Sequence, residues 1–296
     1  MSKEDERFLD KKKFRRIKSN QLVEQLSRGL LAPKEIDDKG NAGVTFGNTK
    51  TNFWLGISNY NEINKGDKHW KVPNLVPKLL DFILMGLCEK NCEFSNLEQS
   101  LIDFAETIGK YNDISGTRKG VKLALDILKN LIFQWQNIGS NEFNEITIIE
   151  AGEIRKNTIK VQFSDDLVNR FRNTKSYLYV PLEIYKFSDR NNINSYLLAK
   201  RILFHHYRNI NNSNADVITV EDLYKNCSTL PSIEALKLSN GAFTKRIIRA
   251  FERDLNNCCN IFNWSYLGYE ESEYRNFPSE WLKEKICISW NSYFIK

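Results

Sequence analysis

Histidine, cysteine and long apolar runs are scarce in this 296-residue sequence, and each scarcity removes a class of function. The three histidines are His69, His205 and His206. Adjacent residues on a helix point about 100° apart, so His205 and His206 cannot share one metal as alternate strand residues do. The six cysteines (Cys88, Cys92, Cys227, Cys258, Cys259, Cys287) sit in a large chain with no export signal, which favours free thiols in a reducing cytoplasm. Cys88 and Cys92 fit one helix face, but no second Cys or His pair at ligand spacing accompanies them; no metal and no cofactor is expected. Residues 1–20 are charged throughout and lack the apolar core of a secretory signal. The most apolar helical stretch, Leu79 to Cys88, covers about three turns, against the ~20 residues of a bilayer span. A cytoplasmic protein without a membrane partner is expected. Gly47-Asn48-Thr49-Lys50-Thr51 lacks the spacing that wraps a phosphate. No third acidic residue joins Asp165-Asp166 at two-metal spacing, and no nucleophile triad has a local signature, so no catalytic residue is assigned.

What is present suffices for one or two packed cores: 41% of residues are hydrophobic and 12% aromatic. The length fits two domains. A formal net charge of +6 permits a nucleic-acid partner without requiring one. Its placement is more informative. Residues 1–20 hold eight basic and four acidic side chains around Lys11-Lys12-Lys13-Phe14-Arg15-Arg16, and read equally as a nucleic-acid-contacting arm or a solvated tail. Residues 117–138 and 244–253 carry +3 each, and everything outside these three segments is net −4.

From Val72 the apolar residues fall into helical periods. Val76, Leu79, Leu80, Ile83, Leu84 and Leu87 describe a first helix; Leu97, Leu101, Phe104 and Ile108 describe a second. Thr117 is placed to cap a third, on which Val121, Leu125, Leu128, Ile132 and Trp135 step by four and three. The period then changes to two. Ile146 and Ile148 alternate, Ala151-Gly152 marks a turn region, and Ile159, Val161 and Phe163 alternate again, with Arg155 and Lys156 near the tip. Three helices followed by a hairpin is the order of a winged helix-turn-helix.

The second half repeats it. Tyr196, Ala199, Ile202, Leu203 and Tyr207 give a long helix, and Thr219-Val220-Glu221-Asp222 has the spacing of a capping box that opens a short one. Phe243, Ile247, Phe251 and Leu255 form the stripe of a third. A strand-like run, Ile261 to Leu267, precedes an alternating Ile286, Ile288 and Trp290; Gly268 to Lys285 reads as an enlarged wing or an inserted helix around Trp281. The expected fold is therefore mainly α with small β-hairpins. A basic arm and a Gly/Asn-rich connector with a strand near Phe53 to Ile57 occupy residues 1–71. Two tandem winged helix-turn-helix domains follow, over 72–170 and 171–296.

The major groove of DNA admits one α-helix, so a reader needs an inner apolar stripe and an outer polar face. Lys245, Arg246, Arg249 and Arg253 occupy the outer faces of the helix from Thr244 to Asp254. Arg118, Lys119 and Lys122 lie mostly off the stripe of the earlier third helix, and Arg155 and Lys156 at a wing tip suit a phosphate strand. Arginine adds a planar fork for guanine O6 and N7.

Leu230-Pro231-Ser232-Ile233-Glu234, then Arg246-Ile247-Ile248-Arg249-Ala250-Phe251-Glu252-Arg253-Asp254-Leu255, then Trp264-Ser265-Tyr266 stand in the order of a turn, a helix and a wing strand. This order resembles the C-terminal winged helix of replication initiator proteins from plasmids and other mobile elements. It is clearest over residues 195–267, and the helix–hairpin order extends it back to about residue 75. The resemblance implies that the C-terminal winged helix reads repeated origin sites through Lys245, Arg246, Arg249 and Arg253. The N-terminal one would add DNA contacts, with Arg118, Lys119 and Lys122 as equivalents, and a dimer interface. It further implies a non-enzymatic initiator that binds double-stranded DNA repeats at an AT-rich origin and recruits host helicase or initiator proteins. Such a protein would pass between monomer and dimer, the dimer repressing its own promoter. A winged-helix transcription regulator, a winged-helix docking module without DNA binding, and a rolling-circle nicking enzyme using Tyr207 are the alternatives. The stretch after Leu267 is longer than a simple wing, and residues 1–70 resemble no family.

Overall fold

The chain divides after Tyr177 in the computed structural model: residues 16–177 form one compact unit, and residues 1–15 with 178–296 form another. The structure describes residues 13–18, 21–32, 34–47, 51–63, 72–187, 193–227, 230–231, 247–268 and 278–291. Strand β1 (Phe14–Lys18) opens the described chain.

The N-terminal unit is built around helix α3 (Leu75–Glu89), in which every residue from Leu75 to Cys88 is buried. Apart from Lys78 and Asp81 these residues are apolar and spread around the whole helix, which therefore has to be enclosed on all sides. Its first partners follow in sequence. Strand β5 (Asn96–Ser100) leads directly into α4 (Leu101–Thr107), then α5 (Ile114–Lys129). Phe82 of α3 packs on Phe104 of α4, with ring centroids 5.1 Å apart. After α5 come β6 (Leu131–Asn137), β7 (Phe143–Thr147), β8 (Ile149–Arg155) and β9 (Thr158–Phe163). Strands β5, β9 and β8 form an antiparallel sheet in that spatial order.

A second sheet stands beside this core. It runs β2 (Glu35–Ile36), β3 (Ala42–Gly47), β4 (Thr51–Ile57), β6, β7, antiparallel throughout. Phe46, Phe53 and Phe133 line its inner face, at successive centroid distances of 5.6 and 5.7 Å. Helix α1 (Gln21–Leu31), with Leu22, Val23, Leu26 and Leu30 buried, packs against β4. The short α2 (Tyr60–Ile63) follows β4. Helix α6 (Asp165–Asn173) closes the unit; Ser164 caps it, and Asp165 and Asp166 occupy its positive end.

The C-terminal unit contains most of β10 (Tyr177–Pro181), a 3-10 turn (Leu182–Lys186) and the long helix α7 (Ile193–Asn209). Then come β11 (Val217–Thr219), α8 (Val220–Tyr224), α9 (Arg249–Asn256), β12 (Phe262–Tyr266), α10 (Pro278–Trp281) and β13 (Lys285–Trp290). Its sheet has the order β11, β13, β12.

The two three-stranded sheets are the same construction. In each, the first strand of the sequence sits at one edge, the last is central and the middle one is at the other edge. The agreement reaches single bonds. Ser100 ends β5 opposite Thr158, and Thr219 ends β11 opposite Lys285. The next residue in each case begins a helix and donates its N–H to the residue before the central strand: Leu101 to Asn157 and Val220 to Glu284, both 2.8 Å. Ser100 and Thr219 cap these helices, accepting from the backbone N–H of Asp103 (3.1 Å) and Asp222 (3.2 Å). Ser100→Ala or Thr219→Ala orphans one helix-end donor and is expected to cost about 1 kcal/mol in urea unfolding; unchanged stability in both variants would contradict these caps.

Several expectations need correction. Among the described residues the fold is not mainly α but mixed α/β, with 43% in helix and 30% in strand. Strands not foreseen include β1 within the basic segment read as an arm or solvated tail, β3 in the connector, β6 just after α5, and β10. The third helix is capped by Asp113 rather than Thr117, which is buried inside it. It ends at Lys129, so Ile132 and Trp135 lie on β6. Their helical spacing is coincidental, because Leu131, Phe133 and Trp135 also alternate. Leu97 belongs to β5, not to the second helix. Ile146 is in β7, paired with Phe133 in the other sheet. Ala151-Gly152 is no turn: both residues lie in β8 beside a register shift, and the reversal comes at Lys156-Asn157.

Candidate nucleic-acid interface

The N-terminal unit exposes one face of α5. Thr117, Val121, Ala124, Leu125 and Leu128 point inward, while Ser115, Lys119 and Lys122, spaced by four and three, are exposed. The entry to this helix is tight. Gly109 takes a left-handed φ of 69° where α4 ends, a conformation open to glycine, and Tyr111 stands 58% exposed in the turn that follows. Asp113 then caps α5 by accepting from Gly116 N–H at 2.8 Å.

The β8–β9 hairpin lies against α5. A Cβ on Gly152 would come within 3.1 Å of the Leu125 side chain, so the small residue permits this close approach. At the tip, Lys156 has a left-handed φ of 52°. The Arg118 guanidinium reaches across from α5 and donates to the Lys156 carbonyl and to Asn157 Oδ1, the latter at 2.6 Å.

The cations of this face differ in what they have left to offer. Arg155 pairs with Glu153 at 2.7 Å and Lys129 with Asp126 at 2.8 Å. Lys160 is taken by Glu98, whose carboxyl it holds below the usual range. Lys119, Lys122 and Lys156 are exposed and form no ion pair among the described residues. Of the five expected contacts in this unit, the structure therefore brings Arg118, Lys156 and Arg155 together at helix and hairpin tip, and leaves Lys119 and Lys122 on the open face beside them.

In the C-terminal unit, Arg249 is exposed at the start of α9. Arg253 is exposed as well, but its Nε and Nη2 both donate to Asp254 Oδ1, at 3.1 and 3.0 Å. The buried Asp254 also accepts from Asn194 at 3.0 Å, tying α9 to α7. Lys245 and Arg246 lie outside the described residues. The inserted helix foreseen around Trp281 is α10, and it is an anchor. Trp281 is wholly buried against Phe251 of α9 (5.3 Å) and Tyr224 of α8 (5.7 Å). Its indole N–H donates to the Tyr266 hydroxyl, which donates to Glu252 of α9, each at 3.0 Å.

The residues weighed for metal or nucleophile chemistry have structural partners. His206 is buried with Nδ1 2.7 Å from Asp216, an oxygen that also accepts from Trp290 N–H. His205 faces the Asn214 carbonyl instead. Burial pushes the Tyr207 phenol up to about 12, the direction opposite to nucleophile activation. All six cysteines are unpaired. Among the described residues no group of three or more His, Cys, Asp or Glu is placed to hold a metal ion, and no helix is long and apolar enough to cross a membrane.

Sequence reasoning missed Ser100, Asn157 and Tyr111. The first had a signal: Ser100-Leu101-Ile102-Asp103-Phe104 matches Thr219-Val220-Glu221-Asp222-Leu223 in residue type at four of five positions. Asn157 had none, because its partners lie 39 and 56 residues away in sequence.

The two units share one construction, a three-stranded sheet of the same strand order beside a helix with exposed basic residues. No family model matches the chain, and no curated protein matches its sequence. Solved structures do match its fold. Domains 2 and 3 of RctB, as the selenomethionine derivative, superpose with a TM-score of 0.53 over 93% of this chain and 98% of that one, at 11% identity. A second structure of RctB domains 2–3 gives 0.49 over 90% and 96%, also at 11% identity. At this identity the likeness is one of fold.

Proposed function

We propose that the chain is a non-enzymatic replication initiator that binds double-stranded DNA through two winged helices. The observation that carries this reading is the repeated sheet order, β5-β9-β8 and β11-β13-β12, each laid down as helix, strand, helices and then two paired strands, with β6 and β7 intervening in the first and α10 in the second. In that arrangement α5 and α9 are the groove-entering helices, and the β8–β9 hairpin is a wing. Lys119, Lys122 and Lys156 supply phosphate contacts, and Arg249 is the base-reading candidate. The fold shared with domains 2 and 3 of RctB is compatible with this reading. The proposed partners are directly repeated, AT-rich origin DNA of a plasmid or related element, and host helicase or initiator proteins, with a monomer–dimer equilibrium. No cofactor is needed, because duplex opening draws on binding energy and sequence-dependent deformability.

The test is binding of the full chain to DNA flanking its own gene, measured across salt concentrations against random duplex. Specific, salt-dependent affinity for direct repeats is expected. Arg249→Ala is expected to weaken specific binding by about 1–3 kcal/mol with less effect on random DNA; equal losses on both would make Arg249 a phosphate contact only. Absence of any salt-dependent affinity would favour a protein-docking module instead.

A further inference from the structure

Arg118 has the position of a DNA contact and the bonding of a brace. It lies one residue before Lys119, near the exposed face of α5, yet it is only half-buried rather than open, and its guanidinium is engaged at both ends of the fork. One amino group donates to the Lys156 carbonyl and the other to Asn157 Oδ1. The same two-residue turn is held from a third direction, since Leu101 N–H donates to the Asn157 carbonyl at 2.8 Å. The tip of the hairpin is thus pinned to the first residue of α4 and to the second turn of α5. Lys156, held in a left-handed conformation, is the residue displayed by that turn.

We infer that Arg118 is a positioning residue: it fixes the hairpin tip against α5, so that Lys156 meets the DNA at a set distance from Lys119 and Lys122. The inference rests on the DNA-binding reading above. The chemistry favours this role over direct contact. A planar fork bonded to two acceptors in one turn has fixed geometry, which a lysine point charge does not reproduce. A phosphate contact acts largely through charge, so Lys in place of Arg keeps its contribution to the salt slope. In the C-terminal unit the corresponding tie is made differently, by the Glu252–Tyr266–Trp281 chain linking α9, β12 and the inserted helix α10. Each unit therefore has a polar link from its exposed helix to its hairpin.

The charge-conserving variant separates the two roles. Arg118→Lys and Arg118→Ala are compared with Lys119→Ala in the full chain, with affinity for origin-repeat DNA measured from low to physiological salt. If Arg118 positions the tip, Arg118→Lys and Arg118→Ala lose affinity alike, by about 5- to 10-fold, while most of the salt dependence remains. Hydroxyl-radical protection at the hairpin flank fades and that under α5 stays. Lys119→Ala instead lowers the salt slope by about 0.9. Amide exchange on free protein reads the brace itself: Leu101 exchanges faster in both Arg118 variants. If Arg118→Lys keeps wild-type affinity while Arg118→Ala loses slope as Lys119→Ala does, Arg118 is a phosphate contact and the positioning role is wrong. A wild-type chain with no salt-dependent DNA affinity overturns the DNA reading and the positioning role with it; faster Leu101 exchange would then still identify the brace as a purely structural one.

Discussion

Trp281→Ala is expected to destabilise the C-terminal unit by about 3–5 kcal/mol, the usual cost of removing a wholly buried large aromatic. Trp281 has no exposed surface, and its ring fills the space between Phe251 on α9 and Tyr224 on α8. Truncation would leave a cavity against three elements and remove the donor that orients the Tyr266 hydroxyl toward Glu252. Trp281→Phe separates the two contributions: it keeps most of the apolar fill and loses the N–H, so a markedly smaller loss is expected. Urea unfolding followed through amide signals of each unit measures both variants. The change should be confined to the C-terminal unit, with the N-terminal midpoint unmoved. A loss below about 1 kcal/mol for Trp281→Ala would mean that the insert is not anchored as described.

The triple variant Lys119→Ala/Lys122→Ala/Lys156→Ala is expected to bind origin-repeat DNA on the order of 100-fold more weakly at 0.15 M salt, with the salt slope reduced by about 2.7. These three residues are exposed and without ion-pair partners among the described residues, whereas Arg155, Lys129 and Lys160 on the same face are paired to carboxylates. A cation already paired has to give up its partner before it can displace a counterion from DNA, so it contributes less. Arg155→Ala is therefore the internal control, with a smaller change in slope than any single lysine substitution. The fold is expected to be indifferent to all four changes, because the side chains lie on the solvent face. If Arg155→Ala costs as much as Lys119→Ala, pairing with Glu153 does not decide which cations are used.

Much of the architecture was legible in the sequence, and the parts that were not have physical reasons. Helix α3 announces itself because it is apolar over four turns and is buried on every side. Strand β9 is legible by alternation, since Ile159, Val161 and Phe163 face the core and Lys160 and Gln162 face out. The end of α5 was overrun because Ile132 and Trp135 prolong the helical spacing while lying on a strand; a period of 3.6 and a period of two share enough positions over five residues to disagree only weakly. The connector concealed β3, because Gly43 and Gly47 within it carry little strand propensity to read. What identifies those segments as strands is their pairing, which no local pattern carries. In the candidate site, helical spacing puts Lys119, Lys122 and Arg249 off the apolar stripes, and the structure leaves them exposed. The partners of Arg118, Arg155 and Arg253 carry no local signal: a hairpin turn 38 residues on, a neighbouring strand residue, and a buried aspartate fixed by Asn194.

The most direct test of two DNA-engaging winged helices in one chain is hydroxyl-radical footprinting of the full-length protein on the repeats flanking its gene. The repeated topology predicts two separate patches of protection per bound chain. One should be lost on combining Lys119→Ala, Lys122→Ala and Lys156→Ala, and the other weakened by Arg249→Ala. A single patch that responds to both sets of changes, or no protection of the repeats at all, would contradict the account.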